Sequence, residues 1–361
     1  MHGGLCHENP DQKNKPAQDQ FSVRADLESL HWCLRLFITT LWLGNFSAVE
    51  AEVELTAISP WALNVEFAED LQLFFEAVNV RGKGRVRIRY LGGPEVIPQR
   101  QMVYALRRGV VDVYFGAATY LIGVVPEGDA FLGASVTPIE ARRNGAYEAI
   151  QDYWTEKLNA FFLGWHQTGY RLHIFMRAPP VFRSDGLPNV SGLRIRTTPT
   201  YRAFLNAVGA TPIDIPSSEV YTALERGTVD AIAWTSTSMS NQGFQKFVRY
   251  RIDPGVLNPV MTLQVNLDRW RSLSTDVQEL LMDESLTYER ESRERFKAKE
   301  SLEKQVLAAE GMTYIGLSAG AADKYRSLAT DAVWARMQRR VPESVARLRP
   351  LFDPAGVTSG F

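Results

Sequence analysis

The pattern of apolar and polar positions near the start of the folded region predicts alternating strands and helices. Residues 53–58 and 85–90 show the alternation or short apolar runs of strands, and residues 63–78 show the three- and four-residue spacing of an amphipathic helix. The full predicted order is a strand at 53–58, a helix at 63–78, a strand at 85–90, a helix at 96–108 and a strand at 110–115. This order is typical of an open α/β lobe with a mostly parallel sheet.

A second segment repeats the same pattern. Residues 105–112 and 223–230 agree at six of eight positions, and each segment follows an alternating basic strand, at 85–90 and at 193–198. Two similar α/β lobes explain the repeat best, and ligand sites favour the cleft between such lobes. The alternative is the chance recurrence of a common helix-glycine-strand turn.

Residues 272–311 are highly charged, with apolar residues recurring beneath the charges. Ser274 is suited to begin a helix there and Gly311 to end it. The pattern predicts a helix of nearly forty residues that crosses both lobes; a coiled-coil dimer is the alternative, but strict heptads do not persist. Two further helices are predicted at 318–339 and 343–351.

The first 51 residues are predicted to be a leader that is removed on export. An apolar stretch of about ten residues within 31–44 is too short to span a bilayer and fits a signal peptide. Val49 and Ala51 place small residues at the −3 and −1 positions of a cleavage site. The alternative is a stray hydrophobic helix. No later segment is apolar enough for a membrane span, so we expect a protein that does not itself cross the membrane.

Charge and cysteine content exclude several functions. The 361 residues carry 40 Lys and Arg against 41 Asp and Glu, a balance that argues against a nucleic-acid partner. The two cysteines, Cys6 and Cys33, both fall in the predicted leader. The remaining chain therefore has no cysteine for a zinc site, an iron–sulfur centre, a nucleophile or a disulfide.

Catalytic motifs are also missing from the sequence. It contains no GxSxG, HExxH, P-loop or GxGxxG pattern. His166 and His173 are seven residues apart, which would align them on a helix, but structural histidines are favoured over a two-histidine metal site. We therefore predict a protein that is not an enzyme and that needs no metal and no cofactor.

The candidate chemistry lies at the ends of predicted strands. Arg196 ends the second basic strand, where side chains of an α/β lobe face the cleft. A guanidinium there can hold a carboxylate through two parallel hydrogen bonds; the alternative is a surface arginine paired with an acid. Trp234 follows the strand at 228–233 and is suited to cover a ligand, unless it is a core residue. Arg171 and Tyr201 are further candidates.

At these residues the sequence resembles a known family, the DctP-type solute-binding proteins of TRAP transporters. The residues that carry the resemblance are Gly192-Leu193-Arg194-Ile195-Arg196, Val208-Gly209-Ala210-Thr211-Pro212, the segment 218–230, the first-lobe segment 105–112, and Asn266 with Trp270 and Leu273. The resemblance covers roughly residues 53–340, in order.

The resemblance implies a two-lobed periplasmic-binding-protein-like fold with a hinge cleft and a long helix across both lobes. Lobe I would comprise 52–168 plus about 255–293, and lobe II 169–254 plus about 294–361. Such a protein captures a small organic acid between its lobes in the periplasm and delivers it to membrane permease subunits. A periplasmic enzyme acting on a carboxylate and a ligand-binding partner of a sensor are the alternatives.

The resemblance also assigns site residues. The family's carboxylate-binding arginine falls on Arg196, and a second arginine falls on Arg171. Members that bind 2-oxo acids have a Glu-Trp pair whose glutamate helps to hold a metal ion, whereas this chain has Ala233 before Trp234. The expected pocket residues are Arg196, Arg171, Trp234, Tyr201, Ser217, Tyr120, Trp61 and Ala117. They indicate an apolar or aromatic monocarboxylate, or a 2-oxo acid.

Overall fold

The fold is taken from a computed structural model that describes residues 51–354. The leader predicted at 1–51, apart from Ala51, lies outside the described residues, as do both cysteines. The strands are β1 (Val53–Ile58), β2 (Val86–Gly92), β3 (Val113–Ala117), β4 (Ala160–His166), β5 (Leu172–Met176), β6 (Val181–Phe182), β7 (Pro188–Asn189), β8 (Arg194–Thr197), β9 (Thr211–Asp214), β10 (Ala231–Thr235), β11 (Tyr250–Asp253), β12 (Met261–Asn266) and β13 (Thr313–Gly316).

The helices alternate with these strands and are longest near the end of the chain. They are α1 (Glu66–Arg81), α2 (Met102–Arg107), α3 (Asp129–Leu132), α4 (Pro138–Arg143), α5 (Ala146–Tyr153), α6 (Arg202–Ala207), α7 (Val220–Glu225), α8 (Leu267–Arg271), α9 (Thr275–Ala309), α10 (Ala319–Arg340) and α11 (Pro342–Phe352). Within residues 51–354, no helix combines the length and the apolar character that crossing a bilayer requires.

The strands form two main sheets. The first has the order β2-β1-β3-β12-β4 and the second the order β13-β11-β5-β10-β8-β9, while β6 and β7 form a separate hairpin. In the first sheet β1 is parallel to β2 and β3, but β12 is antiparallel to β3 and β4. In the second, β5 is antiparallel to β10 and β11. The predicted α/β class is confirmed, and each sheet is mostly parallel, with a single strand, β12 in the first and β5 in the second, running against the others.

The chain passes from one sheet to the other and back, which explains the antiparallel strands. It leaves the first sheet after β4, enters the second at β5, and returns between β11 and β12. A strand that enters a sheet from the neighbouring sheet runs against the parallel strands already present. The two histidines at helical spacing do not lie on a helix. His166 ends β4, His173 lies on β5, and both are buried.

The repeated segments fold identically. Helices α2 and α7, glycines at 109 and 227, and strands β3 and β10 all correspond at the same offset in the sequence. Both glycines have a positive φ, near 69° and 66°, which ends the helix at low cost. Asp112 and Asp230 accept hydrogen bonds from the main chain of the adjacent parallel strand, at Thr56 and Arg194 respectively. The shared aspartate therefore fastens the turn to the sheet in both copies.

The long helix is 35 residues, close to its predicted bounds. Its first two thirds bury Leu280, Tyr288 and Phe296 in the core beside the first sheet. Near its end, Leu307 belongs to a core that includes Phe175 of the second sheet. One helix therefore contributes to the cores of both sheets.

Candidate functional site

A small cavity lies between the two sheets, at the ends of strands from both. Its volume is about 50 Å³. It is lined by Trp61, Phe67, Ala117, Thr119, Tyr120, Leu172, Arg196, Thr198, Tyr201, Ala233, Trp234, Thr235, Pro259, Val260 and Met261. Six of the eight candidate site residues thus meet in one place.

Arg196 is the charged residue of this cavity. It is 1% exposed, and its Nε donates to the carbonyl oxygen of Ile215 at 3.0 Å. The guanidinium carbon lies 4.7 Å from the centre of the Trp234 ring, a cation–π distance. The Nη2 atom is buried and has no hydrogen-bond partner within the described residues. One side of the guanidinium is therefore fixed, while Nη2 is available to an acceptor.

The surroundings of Arg196 favour an anion. None of the described residues that line the cavity is acidic. Burial lowers the pKa of Arg196 from its ordinary value, while Tyr120, Asp214 and Tyr201 oppose that shift. A desolvated cation that faces a cavity without a carboxylate in its lining is stabilised by an anionic ligand.

Aromatic rings form two walls of the cavity. Trp61 packs against Phe67 with ring centres 5.1 Å apart and against Tyr120 at 6.1 Å. Trp234 packs edge-on against Phe244 at 5.1 Å and turns a face toward the guanidinium. The apolar walls limit the number of hydroxyl groups that a ligand could satisfy.

Direct contacts join the two sheets beside the cavity. Thr119, which follows β3, donates to Thr198, which follows β8, at 3.2 Å between the hydroxyl oxygens. Thr119 also accepts a hydrogen bond from the hydroxyl of Thr200. Further out, Arg100 Nη2 lies 3.2 Å from Asp214 Oδ2. These contacts hold the sheets close together around the cavity.

Two of the candidate residues lie outside this cavity. Ser217 is half-buried in a short turn and interacts with Tyr120, whose pKa is raised by burial and lowered again in part by Arg196 and Ser217. Arg171 donates to Asn258 at 2.5 Å and lines a different cavity. Its neighbour Leu172 faces the first cavity, because successive strand residues point to opposite sides.

The sequence reasoning missed several lining residues. They are Phe67, Thr119, Leu172, Thr198, Thr235, Pro259, Val260 and Met261. The repeat could have found one of them, because the offset that relates β3 to β10 carries Ala117 onto Thr235. Phe67 and Met261 could not have been found, since they reach the cavity only through the packing of α1 and β12.

Comparison with known proteins places this chain in a family of solute-binding proteins. Residues 61–340 match the family described as bacterial extracellular solute-binding protein, family 7, or DctP. The match covers well over half of the chain, and the chain belongs to this family. The family resemblance noted in the sequence is confirmed.

Two curated relatives match part of the chain at 25% sequence identity or less. The monocarboxylate 2-oxoacid-binding periplasmic protein of Nostoc sp. (strain PCC 7120) is 25% identical over 274 residues, which are 72% of this chain and 66% of the relative. The 2,3-diketo-L-gulonate-binding periplasmic protein of Escherichia coli (strain K12) is 23% identical over 58% of this chain and 64% of its own length. The chain thus spans just under two thirds of the length of these relatives.

A solved structure shows the same fold over nearly its full length. The TRAP periplasmic solute-binding protein of Desulfovibrio salexigens, with bound orotic acid, has a TM-score of 0.74 at 18% identity. The match covers 84% of this chain and 98% of that chain. The two-lobed binding-protein fold expected from the sequence is therefore confirmed.

Proposed function

We propose that the protein is an extracytoplasmic solute receptor of a TRAP-type transporter, exported to the periplasm and acting by binding, not by catalysis. It holds a small carboxylate at Arg196 and delivers it to membrane permease subunits. The observation that carries this proposal is the buried Arg196, whose Nη2 has no hydrogen-bond partner among residues 51–354 and lies beside a cavity that none of those residues lines with an acid. Membership in the solute-binding family supports it.

The ligand we infer is a short monocarboxylate with an apolar or 2-oxo group. The cavity is small and its walls are mostly aromatic or aliphatic, with hydroxyl groups from Thr119, Thr198 and Thr235. The name of the Nostoc relative, a monocarboxylate 2-oxoacid-binding protein, supports this class. At about 50 Å³ the cavity would have to widen for an aromatic acid. Ala233 offers no oxygen ligand, which disfavours a metal-bridged acid.

Binding would act through closure of the cleft. A carboxylate held by Arg196 of the second sheet would bring its other end against Trp61 and Ala117 beside the first sheet. Each new contact favours the closed over the open arrangement, and a ligand shifts that equilibrium by its difference in affinity for the two. The contacts of Thr119 with Thr198 and Thr200 would form in the same step. The permease would then recognise the closed form.

A thermal-shift screen against short carboxylic and 2-oxo acids identifies the ligand, and calorimetry tests the site. We expect Arg196→Ala to weaken binding by about 2–5 kcal/mol, as for other buried, hydrogen-bonded charges. Arg194→Ala is the matched control, because Arg194 lies on the same strand but is half-exposed and paired with Asp230 at 2.7 Å. Near wild-type affinity in Arg196→Ala would disprove the assignment. Turnover of the bound acid, seen by mass spectrometry, would instead indicate an enzyme.

A further inference from the structure

A second, larger cavity lies beside the strands that connect the two sheets. Its volume is about 350 Å³, and it shares no lining residue with the cavity of Arg196. Strand β5 separates the two, since Leu172 faces the first cavity while Arg171 and His173 face the second. The long helix α9 and the start of α4 complete its walls.

Positive charge predominates in this second cavity. Its basic side chains are Arg171, Arg251, Arg293 and Lys297, and its acidic side chains are Asp253 and Glu300. His173 is the remaining titratable group that could add charge, and burial lowers its pKa below the ordinary value. The four cations therefore exceed the two acids by two charges when His173 is neutral.

Both acids are directed toward the same cation. Arg251 Nε donates to Asp253 Oδ1 at 2.8 Å, and Arg251 Nη2 lies 3.9 Å from Glu300 Oε1. Asp253 is also 2.9 Å from His173 Nδ1. Arg293 and Lys297 face the cavity from the adjacent helix, and Lys297 Nζ pairs with Glu294 Oε1 at 3.0 Å, outside the lining of the cavity. The excess of positive charge is therefore not cancelled within the cavity.

The second cavity also contains a buried donor without an acceptor. The Arg251 side chain is 5% exposed, and its Nη1 is buried without a hydrogen-bond partner within the described residues. A buried charged donor that lacks an acceptor costs free energy, and such groups commonly mark the place of a bound ion or water. The Tyr314 ring, 5.1 Å from the Arg251 guanidinium, helps to hold the side chain in place.

The main chain at Gly255 passes close to two side chains of this cavity. A side-chain carbon at Gly255 would lie 2.5 Å from both Arg171 Cβ and His173 Nε2, closer than atoms of different residues approach. Glycine therefore allows the main chain to approach these polar side chains closely.

From this geometry we infer that the second cavity is a binding site for a small oxyanion. Arg251 Nη1 donates to one oxygen of the anion, and Arg171, Arg293 and Lys297 supply the surrounding positive potential. A guanidinium forms its strongest hydrogen bonds with oxygen acceptors that carry a negative charge. The site is independent of the proposed solute site, because Arg196 does not contribute to it. Its residues come from strands β5 and β11, from α9, and from the loops that connect the sheets.

Calorimetric titration of the purified protein tests this inference. The protein is dialysed into HEPES free of phosphate, sulfate and chloride, and is titrated separately with inorganic phosphate, sulfate and acetate. We expect one-to-one binding of phosphate or sulfate, whereas acetate, a short monocarboxylate that the proposed solute site could also take, serves as the comparison. Failure of both phosphate and sulfate to bind at millimolar concentration would overturn the inference.

Three variants assign the site. Arg251→Gln should weaken anion binding at least about tenfold, the order expected for a hydrogen bond to a charged group. If Arg251→Gln does not fold by circular dichroism, the double variant Arg293→Gln/Lys297→Gln decides, because Lys297 is exposed and Arg293 is only partly buried. We expect it to weaken binding severalfold. Arg290→Gln, on the exposed side of the same helix, is the matched control and should change nothing.

The two proposed sites can fail separately. Arg196→Ala should abolish binding of the organic acid and leave the affinity for phosphate or sulfate unchanged. If Arg196→Ala instead abolishes binding of the inorganic anion, that anion occupies the first cavity and the inference is wrong. Unchanged binding in both Arg251→Gln and the double variant would also contradict it.

Discussion

Replacing Arg196 by methionine separates the contribution of this side chain to folding from its contribution to binding. Methionine has a similar length and can pack against Trp234, but it carries no charge and no donor. In the absence of a ligand, the native protein contains a desolvated guanidinium with an unpaired Nη2. Removing the charge removes the free-energy penalty of desolvation, which reaches several kcal/mol for a buried ion, and this favours the folded state.

Two favourable contacts disappear in the same substitution. The hydrogen bond from Nε to Ile215, at 3.0 Å, contributes about 1.5–3 kcal/mol. The stacking over Trp234, at 4.7 Å, contributes about 0.5–2 kcal/mol. These losses are of the same order as the recovered desolvation cost. We therefore expect the unfolding free energy of the ligand-free Arg196→Met protein to lie within about 2 kcal/mol of wild type.

Ligand should make the wild type more stable relative to the Arg196→Met protein. At one hundred times its dissociation constant, a ligand that binds only the native state stabilises the wild type by about 2.7 kcal/mol, and the Arg196→Met protein should gain nothing. Urea unfolding with and without the acid found in the screen measures both differences. Arg194→Met, on the same strand, should keep the full stabilisation by ligand.

Two results would refute this reasoning. A loss of more than about 4 kcal/mol without ligand would show that Arg196 holds the fold together as a structural cation. Full stabilisation of Arg196→Met by ligand would show that the carboxylate binds elsewhere. The first result would concern the contribution of Arg196 to folding, and the second its contribution to ligand binding. The two contributions are therefore tested independently.

Three further variants test other parts of the molecule. Phe131→Ala should lower the unfolding free energy by about 3–5 kcal/mol in urea, because Phe131 is fully buried among other rings. Burial alone would raise the pKa of Asp253, but the hydrogen bonds and charges of His173 and Arg251 together outweigh burial and lower that pKa to about 2. The stability that ionised Asp253 provides is complete above its unfolded pKa and is lost as the pH falls through 2. The difference in unfolding free energy between wild type and Asp253→Asn should therefore be constant from pH 7 to about 5 and shrink by about 2 kcal/mol near pH 2. Arg100→Ala, which removes the exposed pair with Asp214, should weaken ligand binding no more than about fivefold in calorimetry, and less at high salt.

The local elements were predictable because their patterns are local. The first strand has its predicted bounds, and the helix predicted at 272–311 runs from 275 to 309. The repeat was equally clear, since its glycines and aspartates perform the same tasks in both copies. The mostly parallel direction of the strands was predicted, but the reversal of β5 and β12 was not predictable in this way. It depends on where the chain crosses between sheets, and residues 160–176 are buried on both faces and lack the alternation that identifies a half-exposed strand.

The candidate site was partly predictable for a similar reason. Arg196, Ala117 and Trp234 stand at the ends of strands, and the ends of strands meet at the cleft in this class of fold. The resemblance to the family assigned Arg171 to the same pocket as Arg196, but Arg171 lines the other cavity. Successive residues of a strand face opposite sides, so a difference of one position changes the cavity that a side chain reaches. Leu172, the neighbour of Arg171, therefore lines the cavity of Arg196 instead.

The same alternation explains how one strand can serve two binding sites. Strand β5 carries Leu172 toward the proposed solute site, and His173 toward the proposed anion site. It also follows directly the segment where the chain crosses between the sheets, so the proposed closure of the cleft would move it relative to β4. An anion on Arg251 of the adjacent strand β11 would then add contacts to one side of the segment that bends. Phosphate or sulfate should then change the affinity of the protein for the organic acid. By thermodynamic linkage, the organic acid should change the affinity for the anion by the same factor.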